Sequence, residues 1–343
     1  MTATPTIAVL GASGHTGRFV VDELGRRGLP VVAVGRDAGR LEQAVPGVPH
    51  RVALVDDPVA LAEAFTGCDV VISCAGPFLD TADVAADAAI RAGAHYVDVT
   101  AEAASAAQTL ARWDVPARDA GVSVVPAVSF FGGLADLLVT WATPGGQADE
   151  VDVAIALDSW HPTAGTRATG ARNTAPRLMI SGGELRPLPD PPRESTWHFE
   201  PPFGTLGVVE LSLSELVLIS RHVDVRELHT HINQAPLDDL HDASTPPPRG
   251  VDELGRSAQV FAVEARVRRG DTTRRVLASG QDIYAVTAPL VVEAAVRLAR
   301  GDGSPGAHAP GELFDPVDFL TSLAPHLQVR ELAAQDDGRL STA

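Results

Sequence analysis

The stretch that most constrains this chain is IAVLGASGHTGR, residues 7–18. An apolar run from Ile7 to Leu10 stops at Gly11, and further glycines stand at Gly14 and Gly17. A buried strand that breaks at a glycine and gives way to a helix opens a parallel, doubly wound sheet. Each glycine then has its own task. Gly11 permits the tight turn, Gly14 lets a pyrophosphate approach the backbone, and Gly17 lets the helix pack closely on the strand. The helix N-terminus offers unpaired N–H groups and a positive dipole end to the phosphates. Ser13, His15 and Thr16 lie in the same loop and are expected beside them. The context carries the reading, since such glycines without the flanking strand and helix are weak evidence. A tight turn with no ligand is the alternative. Arg18 is a cation in the first helical turn, which suits either a nearby anion or a solvated side chain.

The first third continues in the same style. Short apolar runs at residues 31–34, 52–55, 70–74, 96–99 and 122–126 alternate with helical patterns near 58–65, 81–92 and 103–112. Pro116 is expected to start a fresh turn. The runs are continuously apolar, as strands covered on both faces are. Beyond Thr143-Pro144-Gly145-Gly146 the pattern becomes alternating, at residues 151–157, 195–199, 208–213, 225–231, 260–268 and 274–279. That suits an antiparallel sheet with one covered face, with GDTT (270–273) as a hairpin loop. The segment APLDDLHDASTPPPRG reads as a surface loop, and residues 287–300 as a helix. The fold class is therefore α/β: a Rossmann-type doubly wound parallel sheet plus a second α+β domain with a mainly antiparallel sheet.

Composition narrows the partners. A chain of 343 residues suits two domains. Its net charge is −17, with 27 basic residues against 44 acidic ones. That balance argues against nucleic acid and against an anionic membrane, both of which reward excess Lys and Arg. No apolar run approaches a bilayer span. The start MTATPTIAVL has no basic region, which is unlike a signal peptide. Cys68 and Cys74 lack metal-site spacing, so no metal is expected. A reduced, cytoplasmic protein acting on a small molecule is the expectation.

The end of the second strand selects the dinucleotide. A carboxylate there binds the ribose hydroxyls of NAD, whereas an arginine accommodates the extra phosphate of NADP. This strand runs into Gly35-Arg36, with Arg40 beyond, and NADP(H) is favoured over NAD(H). Asp37 on a ribose, or two ordinary surface arginines, are the alternatives. Asp56 follows the third strand and is a further cofactor candidate. SCAGPF follows the fourth strand, where Ala75 and Gly76 let the cofactor pass, Pro77 stiffens the loop and Phe78 closes it. HYVDVTAE follows the fifth. Asp98 and Glu102 near its end are substrate candidates, although an Asp inside a strand is costly unless hydrogen-bonded, so a loop-holding role is equally open. Cys74 reads as a small buried residue, with no cation beside it in sequence to activate it.

GASGHTGR, VGRDAGRLE, CAGPF and HYVDVTAE, in this order, resemble the saccharopine dehydrogenase-like oxidoreductases. SELVLISRHVDV and the tail SGQDIYAVTAPLVVEAAVRLARG with PGELFDPVDFLTSL are similar too, so the resemblance covers nearly the whole chain. It implies NADP or NAD binding by residues 1–142, a substrate and oligomerisation domain over 143–283, and a segment 284–343 that returns to the first domain. A homodimer through the second domain is implied by the same habit. Members include biosynthetic dehydrogenases working through carbon–nitrogen double bonds and enoyl reductases on long acyl chains. There are departures. His15 stands where relatives carry an aromatic residue, and Thr100-Ala101-Glu102 where they read VTGE. After the sixth strand SFFGGLAD replaces GFDSIPSD, which trades an acid for Phe131. That loop, with Phe130 and Phe131, is expected near the substrate.

Hydride transfer belongs to a nicotinamide, and the protein supplies position, electrostatics and a proton. The candidate proton donors are Tyr284, His15 and His222. A solvated loop position for His15, a core-capping ring for Tyr284 and a structural role for His222 are the alternatives. By the same resemblance a substrate-facing helix begins in SWHPTAGTRATGARNT, making His161, Thr166 and Arg167 contacts or else parts of an exposed loop. An NADP(H)-dependent oxidoreductase of a C=N, C=C or C=O bond is the leading expectation. An NADP(H)-binding regulatory or redox-sensing protein without turnover, or a trans-acting enoyl reductase on an acyl chain, are the alternatives.

Overall fold

The computed structural model describes residues 4–333. The first half alternates β1 (Ile7–Leu10), α1 (His15–Arg26), β2 (Val31–Gly35), α2 (Ala38–Ala44), β3 (His50–Val52), α3 (Pro58–Phe65), β4 (Val70–Ser73), α4 (Phe78–Arg91), β5 (His95–Asp98), α5 (Ala103–Ala120), β6 (Ser123–Val125) and α6 (Gly133–Ala142). There follow β7 (Gln147–Leu157), α7 (Ala164–Arg172), β8 (Leu178–Ser181), β9 (Glu184–Pro187), β10 (Glu194–His198), β11 (Thr205–Glu210), α8 (Ser214–His222), β12 (Asp224–Asn233), α9 (Ala235–His241), β13 (Val260–Arg269) and β14 (Thr272–Gln281). The described chain ends with α10 (Thr287–Arg300), β15 (Gly306–Ala307), α11 (Pro310–Leu313), α12 (Pro316–Ser322) and β16 (Leu327–Leu332).

The first sheet has seven strands in the order β15-β6-β5-β4-β1-β2-β3, and every pair in it is parallel. Every residue of β1 and β4 is buried, because helices cover both faces. On one face α1 and α10 lie together, tied by Arg27 to Glu293 at 2.6 Å. On the other, α3, α4 and α5 close a second core around Phe65, Tyr96 and Trp113. Strand order reverses between β1 and β4, and such a switch point opens a crevice at the carboxyl ends of the strands.

The second sheet has nine strands, with β10-β11-β12-β7-β13-β14-β16 as its main path. Only β12 and β7 pair in parallel; the rest is antiparallel. Alternation along β7 sends Val151, Val153 and Ile155 into the core shared with Leu134 and Leu138 of α6. On the opposite face Asp152 accepts from Arg266 at 2.9 Å and meets His231 at 3.2 Å. Helix α6 belongs to both halves: it leaves β6 and packs under β13 and β14.

Several expectations shift. The third strand is β3, at His50–Val52, earlier than 52–55, because only residues 50–52 register against β2. Pro116 sits inside a continuous α5. The carbonyl that loses its donor there belongs to the exposed Arg112. The loop APLDDLHDASTPPPRG opens with helix α9. In the β13–β14 hairpin Arg269 pairs with Thr272, leaving a two-residue turn with Gly270 at φ +57°. Residues 284–343 divide: α10 and β15 lie with the first sheet, while β16 pairs with β14 of the second. Residues 334–343 of that segment fall outside the described residues.

Candidate functional site

The site is built at the carboxyl ends of β1, β4, β5 and β6. Gly11 turns the chain at φ +79°, and a Cβ there would lie 2.9 Å from the Cys74 carbonyl carbon. Gly17 meets the turn itself, since a Cβ would fall 2.2 Å from Gly11 O. Gly14 caps α1 with no side-chain bond, and no acidic residue occupies the first turn. The first N–H groups of the helix therefore have no intrahelical acceptor. This bare N-terminus against a side-chain-free turn fits a pyrophosphate. Ser13 and Thr16 flank it, half-buried, and Arg18 is exposed.

At the end of β2, Asp37 caps α2 by accepting from Arg40 N at 2.8 Å. The side chains of Arg36 and Arg40 are exposed. Asp56 is exposed as well, while its neighbour Asp57 caps α3 through Ala60 N at 3.0 Å.

Beside this turn opens a cavity of about 620 Å³. Its floor comes from Thr16, Cys74, Gly76 and Phe78 of the first domain and from the strand-end residues Val99, Ala101, Glu102, Ser129, Phe130 and Phe131. Its roof is α7, with Thr166, Arg167 and Thr169, together with Trp160, Leu240 and Tyr284. No residue of α7 is buried. It is held from outside, by Arg172 on Asp80 of α4 at 2.7 Å and by Arg167 on the carbonyls of Asp242 and Thr245. Thr169 Oγ1 would touch a Cβ at Gly76, at 3.4 Å. The walls are aromatic: Phe131 stacks on Trp160 at 5.1 Å and meets Phe130 edge-on at 4.8 Å.

The expected residues divide. Thr16, Gly76, Phe78, Glu102, Phe130, Phe131, Thr166, Arg167 and Tyr284 share the cavity; Ala75, Pro77, Arg36, Arg40 and Asp56 lie outside its lining. Asp98 is fully buried and does not line it. Its Oδ1 accepts from Thr100 N at 3.0 Å and Ala127 N at 2.8 Å, and its Oδ2 from Tyr96 OH at 3.0 Å. The carboxyl fastens the β5 and β6 exit loops together, and burial pushes it up to about 6. His222 also stands elsewhere, on α8, with Nε2 2.7 Å from Asp136 Oδ1.

His15 does not project into solvent. It is wedged edge-on between Phe19 and Tyr284, with ring centroids 5.2 Å and 5.3 Å away. Burial holds its imidazole below the usual range, and Nε2 has no hydrogen-bond partner. Tyr284 OH accepts from Trp160 Nε1 at 3.1 Å and Thr163 N at 3.4 Å and shares a hydrogen bond with Thr166 Oγ1 at 2.9 Å. His161 rests on Pro246 O at 3.2 Å. Cys74 lines the cavity, and burial pushes its thiol up to about 12, which disfavours the thiolate.

Sequence reasoning missed Trp160 and Arg177. Trp160 follows the end of β7, where a bulky aromatic at a strand exit was a usable signal. Arg177 lies just beyond the Thr-, Arg- and Gly-rich segment, with nothing local to mark it. It donates to Ser212 O at 3.2 Å, and burial lowers its guanidinium below the ordinary arginine value. Among the described residues no cluster of three or more His, Cys, Asp or Glu is arranged to hold a metal. No described helix is long and apolar enough to cross a membrane.

A switch-point crevice, a bare glycine turn and a roofed cavity beside it define a dinucleotide-binding domain joined to a second, mixed-sheet domain. The family model described as NAD(P)H-binding matches residues 11–118. The chain is similar to saccharopine dehydrogenase-like oxidoreductases: the human one is 26% identical over 156 residues, 39% of this chain and 36% of that one. A probable mitochondrial member from Arabidopsis thaliana is 26% identical over 186 residues, covering 48% and 41%. A lipid droplet localized protein of Caenorhabditis elegans is 29% identical over 150 residues, covering 39% and 35%. The matches thus span 35–41% of these relatives' length. In fold the chain is similar to apo saccharopine dehydrogenase (L-Glu forming) of Saccharomyces cerevisiae, with TM-score 0.68 at 14% identity, over 96% of this chain and all of the other.

Proposed function

We propose that this protein is an NADP(H)-dependent oxidoreductase that reduces or oxidises a C=N, C=C or C=O bond of a small metabolite. The observation that carries the reading is the junction of two spaces. The glycine turn that fits a pyrophosphate and the aromatic cavity share a wall at Thr16 and Gly76. A dinucleotide laid along the strand ends from Arg36 towards Gly76 would bring its nicotinamide to that cavity. A pocket of a few hundred cubic ångströms, mostly apolar with a few polar groups, is the usual form of a small-molecule site. When bound, the nicotinamide supplies the hydride. Gly11, Gly14 and Gly17 hold the pyrophosphate, α7 excludes water from above, and Phe130, Phe131 and Trp160 orient the substrate's apolar part. A regulatory NADP(H) binder without turnover is the competing reading, favoured by the complete use of the Tyr284 hydroxyl. Consumption of NADPH across a panel of imine, enone and carbonyl acceptors separates the two.

The preference for NADP(H) rests on Arg36. Asp37 gives Oδ1 to the helix cap, which draws it from a ribose, while the Arg36 guanidinium is exposed and can pair bidentately with a 2′-phosphate. Arg36→Ala is therefore expected to weaken NADPH and spare NADH. A hydrogen bond to a charged group contributes roughly 1.5–3 kcal/mol, hence about a ten- to hundredfold loss of affinity. The neighbouring Arg40 places the effect near the lower end. Fluorescence titration with both cofactors measures it. Equal weakening of both would make Arg36 a loop anchor instead.

A further inference from the structure

The cavity contains one buried acid with an unused valence. Glu102 leads into α5 from the β5 exit loop and is fully shielded from solvent. Its Oε2 accepts from Phe78 N at 2.7 Å, at the start of α4, which fixes the carboxyl's orientation. Its Oε1 is buried and has no hydrogen-bond partner. A buried carboxyl oxygen left unpaired is costly, so its persistence in the wall of a ligand-sized cavity calls for a partner that the chain itself does not provide.

The other titratable groups of the cavity are unsuited to moving a proton. Tyr284 OH is already engaged by Trp160, Thr163 and Thr166. The Cys74 thiol is held at about 12. His241 is exposed at the rim. Arg167 and Arg177 stay charged in proteins. We propose that Glu102 is the catalytic acid of this cleft, and that its Oε1 gives a proton to the ligand atom left electron-rich when hydride arrives.

The step balances on the reading given under Proposed function, on which it rests. A hydride from a reduced nicotinamide dinucleotide forms the new C–H bond, and the dinucleotide is oxidised. The π bond of the C=X group breaks towards X, the Oε1–H bond breaks, and X–H forms. Glu102 is left as a carboxylate and regains its proton through the cavity once the ligand has left. In the opposite direction the carboxylate accepts that proton.

The surroundings suit an acid that keeps its proton. Burial raises the Glu102 carboxyl above its ordinary value, and the nearby charges of Asp80 on α4 and Asp98 on β5 raise it further. The N–H groups at the start of α4 oppose this, as does the Arg172 guanidinium on α7, but the net direction is upward. Ionisation of Glu102 is easier beside an oxidised nicotinamide, whose ring carries positive charge, than beside a reduced one.

The test uses the full chain with NADP⁺ and with NADPH, each first shown to bind by fluorescence. Infrared spectra across pH, taken as wild type minus Glu102→Gln, are expected to show one protonated carboxyl whose midpoint is lower with NADP⁺ than with NADPH. The variant retains an amide oxygen for Phe78 N, so its NADPH affinity is expected to stay near that of wild type, while its NADP⁺ affinity should fall at pH values where the wild-type carboxylate is ionised. With an acceptor found in the panel, its turnover should fall by roughly 10²- to 10⁴-fold, the usual range for general acid catalysis, with KM little altered. If the variant does not fold, wild type labelled with ¹³C at glutamate carboxyls gives the same comparison by NMR. A midpoint equal in the two complexes, or a variant with unreduced turnover, overturns the assignment while leaving the cofactor reading standing. Binding of neither dinucleotide overturns both.

Discussion

Gly17→Ala is expected to abolish measurable dinucleotide binding and to destabilise the first domain by at least roughly 2 kcal/mol, towards the upper part of the overpacking range. The added methyl would start 2.2 Å from Gly11 O and 2.9 Å from Ala12 Cα. Both obstacles are backbone, so no rotamer change relieves them, and α1 must move off β1. That helix buries Val20 and Leu24 against the core, so the movement disturbs packing as well as the phosphate turn. Alanine's better helix propensity, worth about 1 kcal/mol over glycine, offsets only part of the clash. Gly25 provides the internal control. It lies in the same helix with nothing within 4 Å of its missing Cβ, and Gly25→Ala should be neutral or stabilising by about 0.5–1 kcal/mol. Urea unfolding and NADPH titration of the two variants give both readouts. A Gly17→Ala protein that binds normally would mean that the close approach of helix to turn is not what the phosphate site depends on.

How far the sequence reaches can be judged residue by residue. The succession of strands along the first half of the chain and the glycine turn were legible because both are local. A buried strand needs an unbroken apolar run, and a side chain at Gly17 is forbidden by atoms only a few residues away. The cavity wall was legible only in part, because it is assembled from distant segments. Phe131 follows β6, Trp160 follows β7 and Tyr284 precedes α10, and no spacing rule joins them. Orientation was less legible still. His15 sits in a loop-like sequence, yet Phe19, one turn along α1, and Tyr284, far along the chain, enclose its ring. The roles of Asp98 and Glu102 could not be separated in HYVDVTAE. Both are acids near one strand end. The first is consumed by loop N–H groups, whereas the second keeps an oxygen free, a distinction made by Ala127 and Phe78 in other segments.

The second large effect concerns Asp98 and pH. In the folded protein its carboxyl is pushed up to about 6 from an ordinary 3.8, mainly by burial, against the lowering effect of the N–H groups of Ala127 and Thr100 and the Tyr96 hydroxyl. The native state therefore holds a proton between roughly pH 4 and pH 6 that the unfolded chain has released. Stability from this group is complete below the unfolded value and is lost as pH rises through the folded one. About two units correspond to ~3 kcal/mol, at roughly 1.4 kcal/mol for each. Asp98→Asn removes the titration while keeping an oxygen for Ala127 N and Thr100 N, and its Nδ2 can donate to Tyr96 OH. Measured as wild type minus Asp98→Asn, stability should consequently fall by ~3 kcal/mol between pH 3 and pH 7. Urea unfolding followed by tryptophan fluorescence at several pH values gives the difference directly, since other titrating groups cancel between the two proteins. Parallel pH curves would mean that Asp98 titrates alike in both states and that burial does not govern it. Asp98→Ala should behave differently. It leaves the loop N–H groups of Ala127 and Thr100 buried without an acceptor, at about 1–3 kcal/mol each. Its loss should thus persist at every pH, and it should loosen the β5 and β6 exit loops that carry Glu102, Phe130 and Phe131.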